Sequence, residues 1–491
     1  MGAVLETAGN ALIWLLYIGA FVFLARKGRG HDAALAGRVG FSVQAFAYVA
    51  TYISAVALVG FGGLAHAYGM QMLLVAAGNV WLGTWAVYRF LAWPTRVWQE
   101  HLGARSPATL IGTGHHSPML GRFLALLFAL FLSVYASAVI KGAALLLGQI
   151  IPLPLWSLIW ITAVAVGVCV CVGGLRGVIY TEAMQGAIML VGILMIVGAV
   201  LVRTGGPIQG LADLAQLEPT KLANNGFTSL SSGGAGLFIL SLVVVTSVAV
   251  WAQPQMIQRH FALSSRAQTA RVAPLAMLVL TVLVGGTYFV AALSRLILPE
   301  VSNPDAVIPL LMRQLLPSAG VHLFVLAIVS ASLSTATALF HIASLAMTED
   351  LPARKSTPRS WRIGVALCIL ISALCAQTDG SLIAILCTTS WSVVGSAALV
   401  PYLGLVVFNK RHASAAWCAM LGGLSACLFW YLCVYAPTAV AAPFPSFSGA
   451  FPGQVPPFFI GVFFSLAGWG AGLTATAIPA SRRSFSAADG D

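Results

Sequence analysis

Long apolar runs that are almost free of charge dominate this chain, and they constrain its fold more than any other feature. A helix needs about 20 apolar residues to cross the hydrocarbon core of a bilayer. About thirteen segments meet this requirement, near residues 8–26, 41–64, 69–93, 120–150, 153–173, 181–202, 230–252, 272–296, 319–347, 361–377, 381–408, 414–436 and 456–479. Only 8% of the 491 residues are charged, whereas soluble domains carry about 25%. The sequence therefore predicts an all-α polytopic membrane protein with about thirteen transmembrane helices.

Positive charge alternates from loop to loop along the chain. Of the 25 lysines and arginines, twenty lie in the segments that this count places inside, four lie in the outer segments, and Lys141 falls within a span. Lysine and arginine favour the cytoplasmic side of a membrane. We therefore expect the N-terminus outside and the C-terminus in the cytoplasm of a plasma membrane, such as a bacterial inner membrane. The net charge of +12 then follows from the topology and needs no nucleic-acid partner.

The sequence between the spans leaves no room for a soluble domain. Residues 1–484 are expected to form a single transmembrane domain, and residues 485–491 a disordered cytoplasmic tail. The chain contains no nucleotide-binding GxxxxGK[ST] loop, no HExxH motif and no recognisable catalytic triad. An enzyme, or a pump driven by the chain's own ATP hydrolysis, is therefore not expected.

One apolar run, residues 326–350, is unusually rich in hydroxyl groups. Its central part carries five of them, from Ser330, Ser332, Ser334, Thr335 and Thr337. Such side chains either allow close helix packing or turn inward to coordinate a cation together with the carbonyls of an interrupted helix. The segment 48–63 is a candidate partner, because Gly60, Gly62 and Gly63 can loosen a helix. The residues alone leave packing and cation binding both open.

Four stretches keep the order and approximate spacing of motifs from one transporter family. They are ATYISAVALVGFGG (50–63), GGLRGVIYTEAMQGAIML (173–190), QPQMIQRHFA (253–262) and SLSTATALFHIASLAMTED (332–350). Together they resemble the sodium:solute symporter family, which includes the proline and sodium–glucose symporters. The resemblance covers nearly the whole chain.

This resemblance implies a core of two inverted five-helix repeats of the leucine-transporter kind. Spans 2–6 (about 41–202) form the first repeat and spans 7–11 (about 230–408) the second, while span 1 and spans 12–13 (about 414–479) are peripheral. Such transporters bind their solute near the membrane midplane. The implied function is secondary active, sodium-coupled symport of a small organic solute into the cell by alternating access. The protein is expected to act in the lipid bilayer as a monomer or a loose homo-oligomer.

The resemblance also implies a sodium site and a solute site. The sodium ligands would be the carbonyls of Ala50, Ile53 and Ala331 and the hydroxyls of Ser334 and Thr335. The candidate solute residues are Ser54, Ala55, Tyr135, Lys141 and Thr246. The proline branch has an aspartate where this chain has Tyr52, and two of its aromatic positions fall on Thr246 and Val250. These departures argue against proline itself as the solute.

Lys141 is the most unusual residue among these candidates. If the span ended at Pro152, Lys141 would lie about 16 Å inside it, where an ammonium costs at least about 2.5–3.5 kcal/mol. Its charge would then balance a carboxylate on the solute or stand in for a second cation. The alternative is a structural pairing with buried polar groups.

Glu182 is a candidate gating residue. It would act in an inner gate or along a sodium exit path. The alternative is a structural role, either capping the first turn of the sixth span or forming a loop ion pair, with Arg176 nearby. Proton coupling through Glu182 or His341 is the alternative mechanism of transport. A solute sensor without its own signalling domain, and a channel, remain further possibilities.

Overall fold

The structure is a computed structural model that describes residues 2–27, 39–172, 175–231, 236–299, 301–378, 383–435 and 455–477. Within these ranges the regular structure is entirely helical. The α-helices are α1 Gly2–Lys27, α2 Phe41–Tyr52, α3 Phe61–Tyr68, α4 Leu73–Val80, α5 Ala92–Leu102, α6 Pro107–Gly114, α7 Pro118–Leu147, α8 Leu155–Val172, α9 Leu175–Arg203, α10 Pro207–Ala215, α11 Gly236–Ser247, α12 Pro254–His260, α13 Arg266–Leu280, α14 Gly286–Leu293, α15 Val307–Leu315, α16 Ser318–Leu345, α17 Pro358–Ala376, α18 Ile383–Val406, α19 Ala413–Trp430 and α20 Pro457–Ala477.

The described helices confirm an all-helical membrane protein. Nine of them, counting continuous helical runs, are long and apolar enough to cross a bilayer, or ten if the bent pair α11 and α12 forms one span. The apolar parts of α1 and α8, Gly9–Leu24 and Leu155–Cys171, are shorter. The predicted count of thirteen spans stays a prediction, and the tail 485–491 lies outside the described residues.

Helix α16 lies at the centre of the bundle and contacts α1, α2, α7, α8, α9 and α17. It begins after Pro317, and its main chain continues beyond Leu345 as the π-helix Ala346–Asp350. Nearly all its residues from Phe324 to Leu345 are buried. A long and enclosed helix of this kind gives the hydroxyls on its surface a fixed position relative to their neighbours.

The second predicted span is interrupted, but not at its glycines. Helix α2 ends at Tyr52, and Ile53 takes an extended conformation with φ −102° and ψ 125°. The amides of Ala57 and Leu58 both bond to the carbonyl of Ser54, at 3.1 and 3.3 Å. A π-helix then runs over Val56–Gly60 and leads into α3. The expectation that Gly60, Gly62 and Gly63 make the break is therefore wrong: these three residues are helical.

The glycines instead allow close approach of neighbouring segments. A Cβ added at Gly63 would lie 2.1 Å from the carbonyl oxygen of Pro304, and one at Gly62 would lie 3.1 Å from Ile308. At Gly60 the nearest atom would be the amide nitrogen of Ala384, at 3.2 Å. The glycine pattern of this segment thus serves packing against the loop before α15 and the start of α18.

Gly63→Ala is expected to destabilise the fold, because the new methyl group overlaps the main chain of Pro304. Overpacking of this kind costs typically about 1–3 kcal/mol. The matched control is Gly198→Ala on α9, where an added Cβ has open space and alanine is the better helix former. Thermal unfolding of the detergent-purified variants measures both. An unchanged melting temperature for Gly63→Ala would show that α3 and the Pro304 loop separate without cost.

A second interrupted helix lies in the other half of the chain. Helix α11 ends at Ser247, a 3₁₀ turn covers Ala249–Ala252, and Gln253 is extended with φ −69° and ψ 122°. Pro254 then starts α12 at its first position, where the missing amide proton is tolerated. The axis bends by 54° at this point. Pro254 therefore begins a new helix, rather than marking the end of one.

Candidate functional site

Two hydroxyl groups of α16 face the break that follows α2. The Ser334 hydroxyl donates to the Ala50 carbonyl at 2.6 Å and lies 2.8 Å from the Ala331 carbonyl of its own helix. The Thr335 hydroxyl lies 3.2 Å from the Ala50 carbonyl, 3.3 Å from that of Thr51 and 3.4 Å from that of Ile53. Both side chains are fully buried. The five oxygens that the family resemblance implies as sodium ligands are therefore neighbours in the fold.

The chemistry of this oxygen set fits a hard monovalent cation. Carbonyls and hydroxyls are neutral oxygen ligands, which hard cations accept. The break directs carbonyls at the end of α2 toward α16. Non-helical backbone at membrane depth is tolerated only where protein or a polar cavity surrounds it, and here α16 lies against it. Among the described residues, no group of three histidines, cysteines or acidic residues is placed to hold a metal.

Three of the candidate solute residues lie beside the same break. Ser54 and Ala55 directly follow Ile53 and are buried. Ala55 packs against α7, because a Cβ added at Gly142 would approach the Ala55 methyl to 2.7 Å. Tyr135 of α7 is buried beside Ser54. Its ring makes an edge contact with Trp391 of α18, with centroids 5.4 Å apart.

Two further residues with polar groups lie in this region: Trp391, which no sequence pattern marked, and Gln253, the first residue of the 253–262 motif. Trp391 and Gln253 are buried, and the Gln253 side-chain amide donates to the Trp391 carbonyl at 3.4 Å. The Trp391 indole nitrogen and the Gln253 side-chain oxygen find no hydrogen-bond partner among the described residues. Buried polar atoms are rarely left unpaired in native proteins. This donor and this acceptor are therefore suited to receive a polar solute.

Thr246 lies in a different environment, on the side of α2 that faces α4 and α11. Its hydroxyl donates to the Asn79 side-chain oxygen at 2.8 Å, and Ser247 lies 3.2 Å from the same atom. The Tyr52 hydroxyl donates to the Thr246 carbonyl at 2.8 Å and lies 3.2 Å from Asn79. Tyr52, which replaces the aspartate of the proline branch, thus helps to fix the bend between α11 and α12.

Lys141 lies in the last two turns of α7. Helix α7 ends at Leu147, so Lys141 lies only about 9 Å from the helix end. Its ammonium group donates to the Thr378 carbonyl, just beyond α17, at 3.3 Å. Its charge also acts on Asp305: burial raises the pKa of Asp305, while a hydrogen bond from the Ile383 amide and the Lys141 charge lower it. The expected distance of about 16 Å was taken to Pro152, five residues beyond the end of α7, and the depth of Lys141 in the membrane stays a prediction.

Glu182 is buried in an ion pair, and not in a first turn as the capping interpretation required. Helix α9 begins at Leu175, two turns before Glu182. The carboxylate accepts a hydrogen bond from the Arg259 guanidinium of α12, with side chains only 1% and 7% exposed. The Arg259 carbonyl in turn accepts from the Gln44 side chain of α2 at 3.2 Å. This cluster joins α9, α12 and α2. The side chain of Arg176, which the sequence placed near Glu182, is not among those that the structure describes.

His341, the other residue considered for proton coupling, lies on α16 beside an aromatic ring. Its imidazole makes an edge contact with Trp361 of α17, with centroids 5.3 Å apart. This contact packs α16 against α17.

Comparison with known proteins agrees with this geometry. The sequence model of the Sodium:solute symporter family matches residues 34–424. A sodium/pantothenate symporter of Haemophilus influenzae is 24% identical over 396 residues, covering 77% of this chain and 76% of the relative. A high-affinity proline transporter of Bacillus subtilis is 23% identical over 440 residues, covering 85% and 89%. The matched region thus covers most of the length of both relatives.

A solved structure gives the same result for the fold. A Na⁺-coupled sialic acid symporter in a substrate-bound outward-open state superposes with a TM-score of 0.72, covering 97% of this chain and 98% of that chain at 15% identity. The family match extends over most of the chain, and the described helices form the same fold as this transporter. The chain belongs to the sodium:solute symporter family, and it is a multi-pass membrane protein that couples solute symport to Na⁺.

Proposed function

We propose that Na⁺ is held by the carbonyls of Ala50, Ile53 and Ala331 and the hydroxyls of Ser334 and Thr335. The observation that carries this assignment is the convergence of the two hydroxyls on the carbonyls at the α2 break. The ion ties α2 to α16, and this contact favours the form that accepts solute. By linkage, sodium then raises the affinity for solute and solute raises the affinity for sodium by the same factor.

The proposed architecture is thirteen spans with a core of two inverted five-helix repeats, spans 2–6 and 7–11, within a single transporter domain of residues 1–484. The two interrupted helices support it, because α2 and α11 are the first helices of the two proposed repeats. Interrupted helices at equivalent positions of two repeats are typical of such transporters. The excess of positive charge in alternate loops supports an N-terminus outside and a C-terminus in the cytoplasm of a bacterial inner membrane.

The proposed solute is a small organic molecule that carries a carboxylate. Relatives named for pantothenate and for proline both act on such molecules. The unpaired indole N–H of Trp391 is a donor for a carboxylate oxygen, and the side-chain oxygen of Gln253 is an acceptor for a hydroxyl or amine. Ser54, Ala55 and Tyr135 complete the site beside the sodium ligands. Lys141 and Thr246 are engaged elsewhere and are not assigned to the solute.

The Glu182–Arg259 pair is proposed to hold the inner side closed. It connects α9 of the first repeat with α12 of the second and lies next to Gln44 of α2. Opening toward the cytoplasm separates these helices, and the cost of separating a buried pair restrains that movement until sodium and solute are bound.

Thermal unfolding of the purified protein with a panel of carboxylates, amino acids, sugars and nucleobases tests the proposal. Each compound is measured in sodium and in potassium at equal ionic strength. We expect a carboxylate-bearing solute to raise the melting temperature in sodium and to have little effect in potassium. A shift of equal size in both ions, sensitive to pH, would favour proton coupling. Binding without uptake into reconstituted vesicles would favour a sensor.

A further inference from the structure

A groove at the periphery of the helix bundle lies apart from the ion and solute region. It has a volume of about 620 Å³ and runs between the π-helix Trp81–Leu91, with the start of α5, and helix α13. The α13 side is lined by small or compact residues, Ala270, Ala273 and Pro274. The opposite side carries the aromatic residues Trp85 and Tyr88. The groove exists because the small residues of α13 do not fill the space opposite the bulky ones.

The π-helix is responsible for the shape of the aromatic side. It extends over 11 residues, whereas such segments are usually single turns and often mark functional positions. The side chains of Trp85 and Phe90 remain 43% and 50% exposed, and their rings contact edge-on with centroids 5.9 Å apart. Aromatic side chains of this kind favour the boundary between hydrocarbon and headgroups.

Two arginines complete the groove, and neither has an acidic partner in the described part of the chain. Arg89 leaves the end of the π-helix and Arg266 begins α13, and both are exposed. The three ion pairs within the described ranges involve other residues, Arg96, Arg105 and Arg259. Arg89 instead lies over the Phe90 ring, 5.3 Å from its centroid. The two guanidinium groups are thus placed at one groove without an anion from these parts of the protein.

We propose that this groove binds an anionic phospholipid, with the phosphate between Arg89 and Arg266 and an acyl chain along Ala270, Ala273 and Met277. Basic pockets between transmembrane helices bind acidic lipid headgroups, and guanidinium groups match phosphate oxygens in charge and geometry. The aromatic and aliphatic lining continues from the arginines along α13, which suits a molecule with one charged end and one apolar end.

The inner wall of the groove connects the lipid with the transport machinery. Tyr88 lines the groove, and its ring contacts Tyr48 of α2 edge-on, with centroids 4.9 Å apart. The Arg96 side chain donates to the Leu263 carbonyl at 3.0 Å and holds α5 to the segment before α13. A bound lipid therefore packs against a residue that supports the helix whose end forms the ion site.

Native mass spectrometry of the detergent-purified full chain with equal phosphatidylglycerol and phosphatidylcholine tests the proposal. We expect phosphatidylglycerol to be retained preferentially, and Arg89→Gln/Arg266→Gln to reduce that preference by about tenfold. Arg271→Gln is the matched control, because Arg271 is exposed on the same helix but does not line the groove. Ala273→Trp, which fills the groove and keeps both arginines, should also abolish the preference.

Equal retention of the two lipids by the unaltered protein would overturn the proposal. So would an equal loss of preference in Arg271→Gln, which would indicate a general effect of surface charge. The outcome does not depend on the assignment of sodium ligands or solute, because lipid retention is measured without either transport or added solute.

Discussion

Replacing Ser334 with alanine and Thr335 with valine is expected to remove the sodium dependence of solute binding. Both substitutions keep the side chain small and replace its hydroxyl with apolar groups, so the pair removes two of the five oxygens proposed to surround the ion. Losing a buried polar partner costs about 1–3 kcal/mol per group, so the loss of two groups should lower the sodium affinity by at least about 30-fold. Sodium titration of the melting temperature, with and without solute, measures this loss.

The control for this experiment is Thr337→Ala on the same helix. The Thr337 hydroxyl bonds only within α16, to the carbonyls of Leu333 and Ser334 at 2.7 and 2.9 Å. Its removal should leave the sodium titration unchanged. If the double variant retained the sodium affinity of the unaltered protein, the cation site would have to lie elsewhere, and the convergence of hydroxyls at the α2 break would be a packing feature.

The second large effect is expected at the Glu182–Arg259 pair. Glu182→Gln alone leaves a buried arginine charge without its partner, and Arg259→Gln alone leaves a buried carboxylate. Breaking a buried pair in this way destabilises a protein by about 3–5 kcal/mol. The variant with both substitutions carries no uncompensated charge and should recover much of that loss. Thermal unfolding of the four proteins provides the double-mutant cycle.

Transport measurements distinguish a gating role from a purely structural one. If the pair holds the inner side closed, the double variant should fold but should favour the inward-open form and show weaker coupling between sodium and solute. Glu100→Gln serves as the control, because Glu100 pairs with Arg96 on an exposed helix surface and such pairs contribute about 0–1 kcal/mol. If the stability lost in the double variant equalled the sum of the losses in the two single variants, Glu182 and Arg259 would not interact energetically.

The family resemblance predicted which residues lie together at the proposed ion site. The position of the helix break that brings them together was not predicted correctly. The hydroxyls of Ser334 and Thr335 and the carbonyls of Ala50 and Ile53 do come together. The break itself was expected at Gly60, Gly62 and Gly63, because glycine weakens helices. The actual interruption, at Ile53 and Ser54, contains no glycine or proline. Tertiary contacts decide its position, and no local sequence signal marks it.

Residues with long or polar side chains were the least predictable from sequence. The distance from Lys141 to the end of its helix depended on where α7 ends, and a difference of five residues changed that distance by about 7 Å. Glu182 was considered beside Arg176 because the two are close in sequence, whereas its partner Arg259 is 77 positions away. Trp391 gave no signal at all, since one tryptophan within an apolar run is indistinguishable from a packing residue until its neighbours are known.

The hydrogen bonds from Ser334 and Thr335 to the end of α2 have a consequence for the strength of ion binding. Both hydroxyls bond to the Ala50 carbonyl, which belongs to the same proposed ligand set. A cation bound as proposed would exchange these hydroxyl–carbonyl bonds for ion–oxygen contacts. The loss of the internal bonds offsets part of the binding free energy, so we expect the sodium affinity to be lower than five preformed oxygen ligands would give.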